Sequence, residues 1–290
     1  SAIRKKLLAL NLKKKEIEEV KSWPPAKNNL NIIVVPDLSN RILNTSGQVS
    51  RDTALLNQIW RSFQKATTTN ARMNSKDHLI IDVTDAGQAQ GEFEKVANDL
   101  VFDLSKHKKN QVNRRYFENQ NKSFNQNIST LYTTAEKQTN GTAGADYVSY
   151  ISRKLEGRIK ENNLTDNYRN ILFIITDGYI EVIRDGKLEI NYPGSQKLTD
   201  YYEKRNPAIF DFPPQTRNAD LSELEIYILE VNEKKSANMK HLDGLNKWWR
   251  TWLQDMQVSN ASEKFILPRE DAINNTKTEI DKIVNNYNYE

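Results

Sequence analysis

The sequence predicts an α/β protein in which helices cover both faces of a mostly parallel central sheet, a three-layer α/β/α sandwich. Two observations lead to this fold class. Short continuous apolar runs, typical of strands that are buried on both faces, recur along the 290 residues. Segments with apolar residues at helical spacing separate these runs, and an alternation of strands and helices along one chain favours a parallel sheet.

Apolar runs bounded by polar residues predict six strands. They lie at residues 30–35, 77–83, 100–104, 171–176, 224–231 and 264–267. The third of these is short, and we interpret it as antiparallel to its neighbour. The other long runs are continuous in Ile, Val and Leu, as expected for parallel strands in the middle of a sheet.

The segments between the strands predict helices. Their expected ranges are residues 93–100, 111–138, 145–160, 242–256 and 272–287. A further helix follows the first strand, and Ser50 or Asp52 can cap its N-terminus. Trp60 and Phe63 belong to the helical apolar pattern of that helix, and Trp249 and Trp252 are three residues apart in a later one. We therefore expect these rings to pack in the core rather than to form a binding surface.

One large domain and a short N-terminal segment are expected. Residues 1–25 predict an N-terminal helix or linker, and residues 26–290 predict a single domain. Within it, residues 179–220 are interpreted as an insertion, a hairpin followed by an irregular, proline-containing excursion. The chain begins with Ser1 rather than Met, which indicates a trimmed N-terminal segment; a cytoplasmic protein and an exported or lipid-anchored protein both fit this observation.

Composition excludes several classes of function. The chain has no cysteine, so it has no disulfides, zinc–thiolate sites or cysteine nucleophiles. Its 42 basic and 38 acidic residues give a net charge of +4 with both signs mixed along the chain, and no nucleic-acid partner is expected. No apolar run approaches the roughly 20 residues of a transmembrane helix. Glycine motifs of the dinucleotide-binding and P-loop types are missing.

Two strand ends carry the candidate site. The runs NIIVVPDLSNR and ILFIITDG place Asp37, Ser39, Thr176 and Asp177 just after buried strands. Because the carboxyl ends of parallel strands meet at one edge of a sheet, we expect these side chains to lie close together, with Thr142 of the small-residue loop 140–144 beside them. Carboxylate and hydroxyl oxygens form a set suited to Mg²⁺, Mn²⁺ or Ca²⁺.

These motifs resemble the von Willebrand factor type A domain and its metal-ion-dependent adhesion site. The features that carry the resemblance are a strand ending in Asp-x-Ser, a glycine-flanked Thr before a helix, and a later strand ending in Thr-Asp-Gly. The resemblance spans about residues 30 to 285 and implies a Rossmann-like sandwich that binds a protein partner through Mg²⁺ or Mn²⁺. It implies Asp37, Ser39, Thr142 and Asp177 as the metal ligands, with Asp177 acting through water.

One motif position departs from that pattern. Arg41 stands where the family has a second Ser, so one hydroxyl ligand is replaced by a guanidinium. Two alternatives follow: a divalent cation binds at Asp37, or Arg41 replaces or gates it by forming a bidentate ion pair with that carboxylate.

Three functions fit these observations. The first is a non-enzymatic module that binds an unidentified protein at the carboxyl edge of the sheet through a divalent cation. The second is a metal-free structural or regulatory interaction domain. The third is a phosphohydrolase of the haloacid dehalogenase type, which would use Asp37 as its nucleophile. That chemistry requires a second Asp two residues later as general acid, and Ser39 stands there instead.

Overall fold

The computed structural model describes residues 28–69, 76–84, 92–107, 111–138, 142–163, 166–184, 187–216, 219–234, 241–261 and 265–285. The helix or linker predicted for residues 1–25 lies outside these ranges. None of the described helices is long and apolar enough to cross a membrane.

Nine strands and eight α-helices are described. The strands are β1 (Asn29–Pro36), β2 (His78–Ile81), β3 (Val101–Asp103), β4 (Thr142–Gly144), β5 (Tyr168–Ile175), β6 (Ile180–Arg184), β7 (Lys187–Tyr192), β8 (Leu224–Val231) and β9 (Ile266–Pro268). The helices are α1 (Arg41–Asn44), α2 (Gln48–Thr69), α3 (Glu92–Asp99), α4 (Arg114–Gln138), α5 (Tyr147–Ser149), α6 (Ser195–Lys204), α7 (His241–Asp255) and α8 (Ile273–Asn285).

The central sheet confirms the predicted fold class. Its six strands have the order β3-β2-β1-β5-β8-β9. All neighbours pair in parallel except β3, which is antiparallel to β2 as predicted. The four central apolar residues of β1, Ile32 to Val35, are fully buried, because helices cover both faces of the sheet.

Aromatic rings fill the space between the helices and the sheet. On α2, Trp60 stacks on Phe124 of α4, with ring centroids 4.8 Å apart. Trp249 and Trp252 of α7 are buried against each other at 5.3 Å. These rings therefore belong to the core, as their helical spacing predicts, and they fix the helices whose ends surround the carboxyl edge of the sheet.

Besides the central sheet, strands β4, β6 and β7 form a second, antiparallel sheet with the order β4-β6-β7. Strands β6 and β7 form the hairpin expected in the 179–220 region. Residues 142–144 were predicted to be loop but form strand β4, which pairs with β6. The backbone of Thr142 lies opposite Arg184 in this pairing. A strand of three small residues is stable here because it completes the hydrogen bonding of an existing edge, which no apolar pattern in the sequence indicates.

One helix prediction and one prediction of irregular structure are wrong. The helix expected over residues 145–160 is α5, continued by a π-helical turn at Tyr150–Lys154 and a separate 3₁₀ turn at Glu156–Arg158. The excursion 193–220, predicted to be irregular, contains the ten-residue helix α6. Although α6 is mostly polar, it buries Leu198 against α7 at Gly244, where an added Cβ would come within 2.8 Å of the leucine.

Candidate functional site

The two motif-bearing strands are direct neighbours, so their ends meet. In the β1–β5 pairing Pro36 lies opposite Ile175. The chain then continues with Asp37, whose N–H donates to the Ile175 carbonyl at 2.9 Å, and with Thr176, whose N–H donates to β8. Asp37 and Thr176 are both buried. The carboxyl edge of the sheet therefore brings the two motifs together.

Asp37 connects the motifs through both carboxylate oxygens. Its Oδ1 accepts a hydrogen bond from the Ser39 N–H at 2.9 Å, which forms the turn after β1. Its Oδ2 accepts one from the Thr176 hydroxyl at 3.0 Å. Thr176 in turn accepts from the Gly178 N–H at 3.2 Å. Each polar group of this buried junction is thus partnered by the other motif or by its own turn.

Asp177 and Ser39 lie beside Asp37 in a cleft with a volume of about 470 Å³. Asp177 is half-buried, and its Oδ1 accepts from the Tyr179 N–H at 3.1 Å. Burial, and then the charge of Asp37, raise the pKa of Asp177 above its usual range. The Ser39 hydroxyl accepts from the Arg41 N–H at 3.3 Å. Of Thr142, the structure describes only the backbone, in strand β4.

Arg41 points into the site rather than away from it. Its Nη2 donates to Asp52 Oδ2 at 2.8 Å and to the Ile175 carbonyl at 3.3 Å. Its Nε lies 3.6 Å from Asp37 Oδ2, an ion-pair contact that is too long for a hydrogen bond. The bidentate pair with Asp37 that the sequence suggested is therefore replaced by a shorter pair with Asp52, and Asp37 is the secondary partner.

Asp52 was predicted to cap a helix but has a different role. Helix α2 begins at Gln48, so Asp52 lies one turn inside it and is fully buried. Its Oδ1 accepts from Gln48 Nε2 at 2.7 Å, and its Oδ2 accepts from Arg41. Asp52 therefore does not cap the helix; its carboxylate binds the Arg41 guanidinium.

The charges of this cluster are strongly coupled. Burial works against the charge of Arg41, but the carboxylates of Asp52 and Asp37 outweigh it and raise the pKa of Arg41, which stays protonated. Burial also raises the pKa of Asp52 to about 6, against the lowering effects of Arg41 and Gln48. The guanidinium is therefore a permanent positive charge, with a side chain that is only 6% exposed, between two buried carboxylates.

The charge of Arg41 disfavours a divalent cation at Asp37. An ion bound to Asp37 Oδ2 at about 2.1 Å would lie less than about 6 Å from Arg41 Nε. At an effective dielectric constant of 20, the repulsion between a double charge and the guanidinium at that distance is about 6 kcal/mol. Arg41 Nε is also buried and has no hydrogen-bond partner among the described residues, so the nearby Asp37 carboxylate is its main electrostatic contact.

The far side of the cleft contains an ion pair that sequence reasoning missed. Glu230, near the end of β8, is buried and accepts from Arg51 Nε at 2.7 Å and Nη2 at 2.9 Å. Glu230 has a φ of 69°, in the left-handed region, where the β8–β9 register shifts. The signal in the sequence is a charged residue near the end of an apolar strand, the same signal that located Asp37.

Charges at the rim of the cleft are also paired. Lys234 donates to Glu181, and its Nζ lies 4.6 Å from the centre of the Tyr179 ring. Arg269 donates to Gln48 Oε1 and so extends the hydrogen-bond chain that ends at Arg41. Within the described part of the chain, no group of three or more His, Asp or Glu side chains is placed to hold a metal ion.

No protein-family model and no curated protein matches this sequence. Among solved structures, the chain is similar to two crystal structures of the pilus adhesin SpaC from Lactobacillus rhamnosus GG, one of them in an open conformation. Sequence identity is 11% and 12%, and the TM-score is 0.40 in both comparisons. Each comparison covers 90% of this chain but only 31% of the adhesin, so the chain spans about a third of the adhesin's length.

Proposed function

We propose that this chain is a non-enzymatic interaction domain that binds a partner protein in the cleft at the carboxyl edge of its central sheet. The observation that carries the proposal is the joining of the two strand ends. Asp37, Ser39 and Asp177 come from separate parts of the sequence and line one cleft of about 470 Å³. In an open α/β sheet, this edge is where ligands bind.

Asp177 is one polar group of this cleft that a partner can reach. Asp37 is buried and accepts hydrogen bonds at both oxygens, whereas Asp177 is only partly buried. Ile183 of β6, 37% exposed, supplies apolar surface at the same cleft. A partner that buries Ile183 and donates a hydrogen bond to Asp177 would gain both an apolar contact and a charge-assisted hydrogen bond.

The test compares two conservative variants. The wild-type chain is used to isolate a partner, and the affinity of the purified partner is then measured by calorimetry. Asp177→Asn keeps the side-chain shape and removes the charge, and we expect it to weaken binding about tenfold, the effect of one lost charged hydrogen bond. Asp255→Asn is the matched control, because Asp255 is exposed at the C-terminus of α7, near the opposite edge of the sheet.

Equal affinities of the Asp177 variant and the wild type would rule out the cleft as the binding site. The enzymatic alternative has its own measurement, since hydrolysis of a generic phosphoester that is lost in Asp37→Ala would identify Asp37 as a nucleophile. The position of Asp37 argues against this outcome, because both of its oxygens already accept hydrogen bonds from Ser39 and Thr176.

A further inference from the structure

Arg41 takes the position that the resemblance assigns to a ligand of the cation. It follows Asp37 by four residues, and its own N–H donates to the hydroxyl of Ser39, another of the implied ligands. The guanidinium then reaches Asp52 at 2.8 Å and lies 3.6 Å from Asp37. The turn after β1, the implied ligands Asp37 and Ser39, and the carboxylate of Asp52 therefore all contact Arg41.

We propose that the Arg41 guanidinium is a built-in cation that replaces the divalent ion, so that this edge of the sheet works without metal. The inference rests on the proposed function only in assigning the cleft to partner binding. Two buried carboxylates, Asp37 and Asp52, face the guanidinium. Since a buried carboxylate needs a positive partner, a protein that supplies this charge from its own chain has no need of an ion at the same place.

Asp52 fixes this arrangement from the helix side. Its side chain is fully buried, and Gln48 holds its other oxygen at 2.7 Å. Gln48 is held in turn by Arg269. If Arg41 turned outward, Asp52 would lose its only ion pair among the described residues. The inward position of Arg41 is therefore the stable one, and its charge opposes an ion at Asp37.

The experiment restores the missing hydroxyl and removes the carboxylate that would be left unpaired. The variants are Arg41→Ser and Arg41→Ser/Asp52→Asn, and the probe is Mn²⁺ or Mg²⁺ alone, titrated by calorimetry and thermal shift at constant ionic strength. We expect no saturable binding to the wild type. The double variant should bind Mn²⁺ saturably, about tenfold or more tightly than any wild-type signal, with a rise in Tm that saturates at the same concentration. Adding Asp37→Ala should abolish both signals.

Two results would overturn the proposal. One is saturable Mn²⁺ binding by the wild type that Asp37→Asn removes, because the guanidinium would then coexist with a metal. The other is a double variant that is folded by circular dichroism but binds no Mn²⁺. Removing the guanidinium would then not create a cation site, so Arg41 could not be the replacement for a bound ion. If the double variant does not fold, the wild-type and Asp37→Asn titrations decide. No partner enters these titrations, so their outcome is independent of the Asp177→Asn binding test.

Discussion

Replacing Arg41 with methionine is expected to lower the free energy of unfolding by about 3–5 kcal/mol, the cost of breaking a buried ion pair from one side. Methionine keeps an unbranched chain and removes the charge. The Arg41 side chain is 6% exposed and that of Asp52 is 0% exposed, so water cannot replace the lost contact. The substitution leaves Asp52 charged and buried with Gln48 as its remaining hydrogen-bond partner.

The ion pair itself stabilises the fold much less than this loss suggests. Burial raises the pKa of Asp52 to about 6, so the attraction of Arg41 does not fully offset the cost of desolvating this carboxylate. Asp52→Asn removes that cost. The double variant Arg41→Met/Asp52→Asn should therefore be more stable than Arg41→Met by about 2 kcal/mol or more.

Equilibrium unfolding in urea, followed by tryptophan fluorescence, measures all three variants. Trp60 is buried on the same helix as Asp52, so its fluorescence changes when this helix unfolds from the core. Equal m-values would show that the denatured state is unchanged. A loss of less than about 1 kcal/mol for Arg41→Met, or a double variant whose loss is the sum of the two single losses, would refute the buried pair.

Two further predictions concern the rest of the fold. Burial, with Lys160 and Arg158 nearby, lowers the pKa of His78 to about 4, below its unfolded value of about 6.5. The unfolded state therefore binds more protons between these values, and stability should fall by about 2 kcal/mol from pH 7 to pH 5 through this residue. Urea unfolding at both pH values should show a smaller loss in His78→Gln, and an equal loss would contradict the assignment. Gly178→Ala should cost about 1–3 kcal/mol, because Gly178 has a φ of 98° and a Cβ there would lie 3.0 Å from a valine methyl. Gly157→Ala, with open space at its Cβ, should not lower stability in the same assay, and equal effects of the two substitutions would count against the strain.

The sheet could be predicted because its signal is local and strong. Continuous runs such as Ile32 to Val35 are stable only where both faces are covered, and the alternation with helices then favours a parallel order. Helix α6 could not be predicted in the same way. Its ten residues include only two buried ones, Leu198 and Tyr201, and it forms because Gly244 of a distant helix leaves room for that leucine. Such tertiary contacts leave little trace in a single sequence.

Half of the candidate site follows from strand ends alone. Asp37 and Asp177 lie at predictable places, because a polar residue just after a buried parallel strand has to be at the carboxyl edge. Asp52 could not be assigned in this way. A polar residue a few positions before an apolar helix pattern is usually a cap, but α2 begins at Gln48, four residues before Asp52, and this places Asp52 inside the helix. Its burial then makes it a partner for a charge rather than for backbone N–H groups.

The direction of Arg41 depends on this shift in the start of the helix. A loop arginine four residues after Asp37 can point to solvent or inward, and neither choice is favoured by its own sequence neighbours. The choice is made by Asp52, eleven residues later, because a carboxylate buried in α2 is strongly unfavourable without a cation beside it. In the same way, burying the Arg41 guanidinium is unfavourable unless a charged Asp52 lies beside it. The two residues therefore act as one unit that sets the charge at this edge of the sheet.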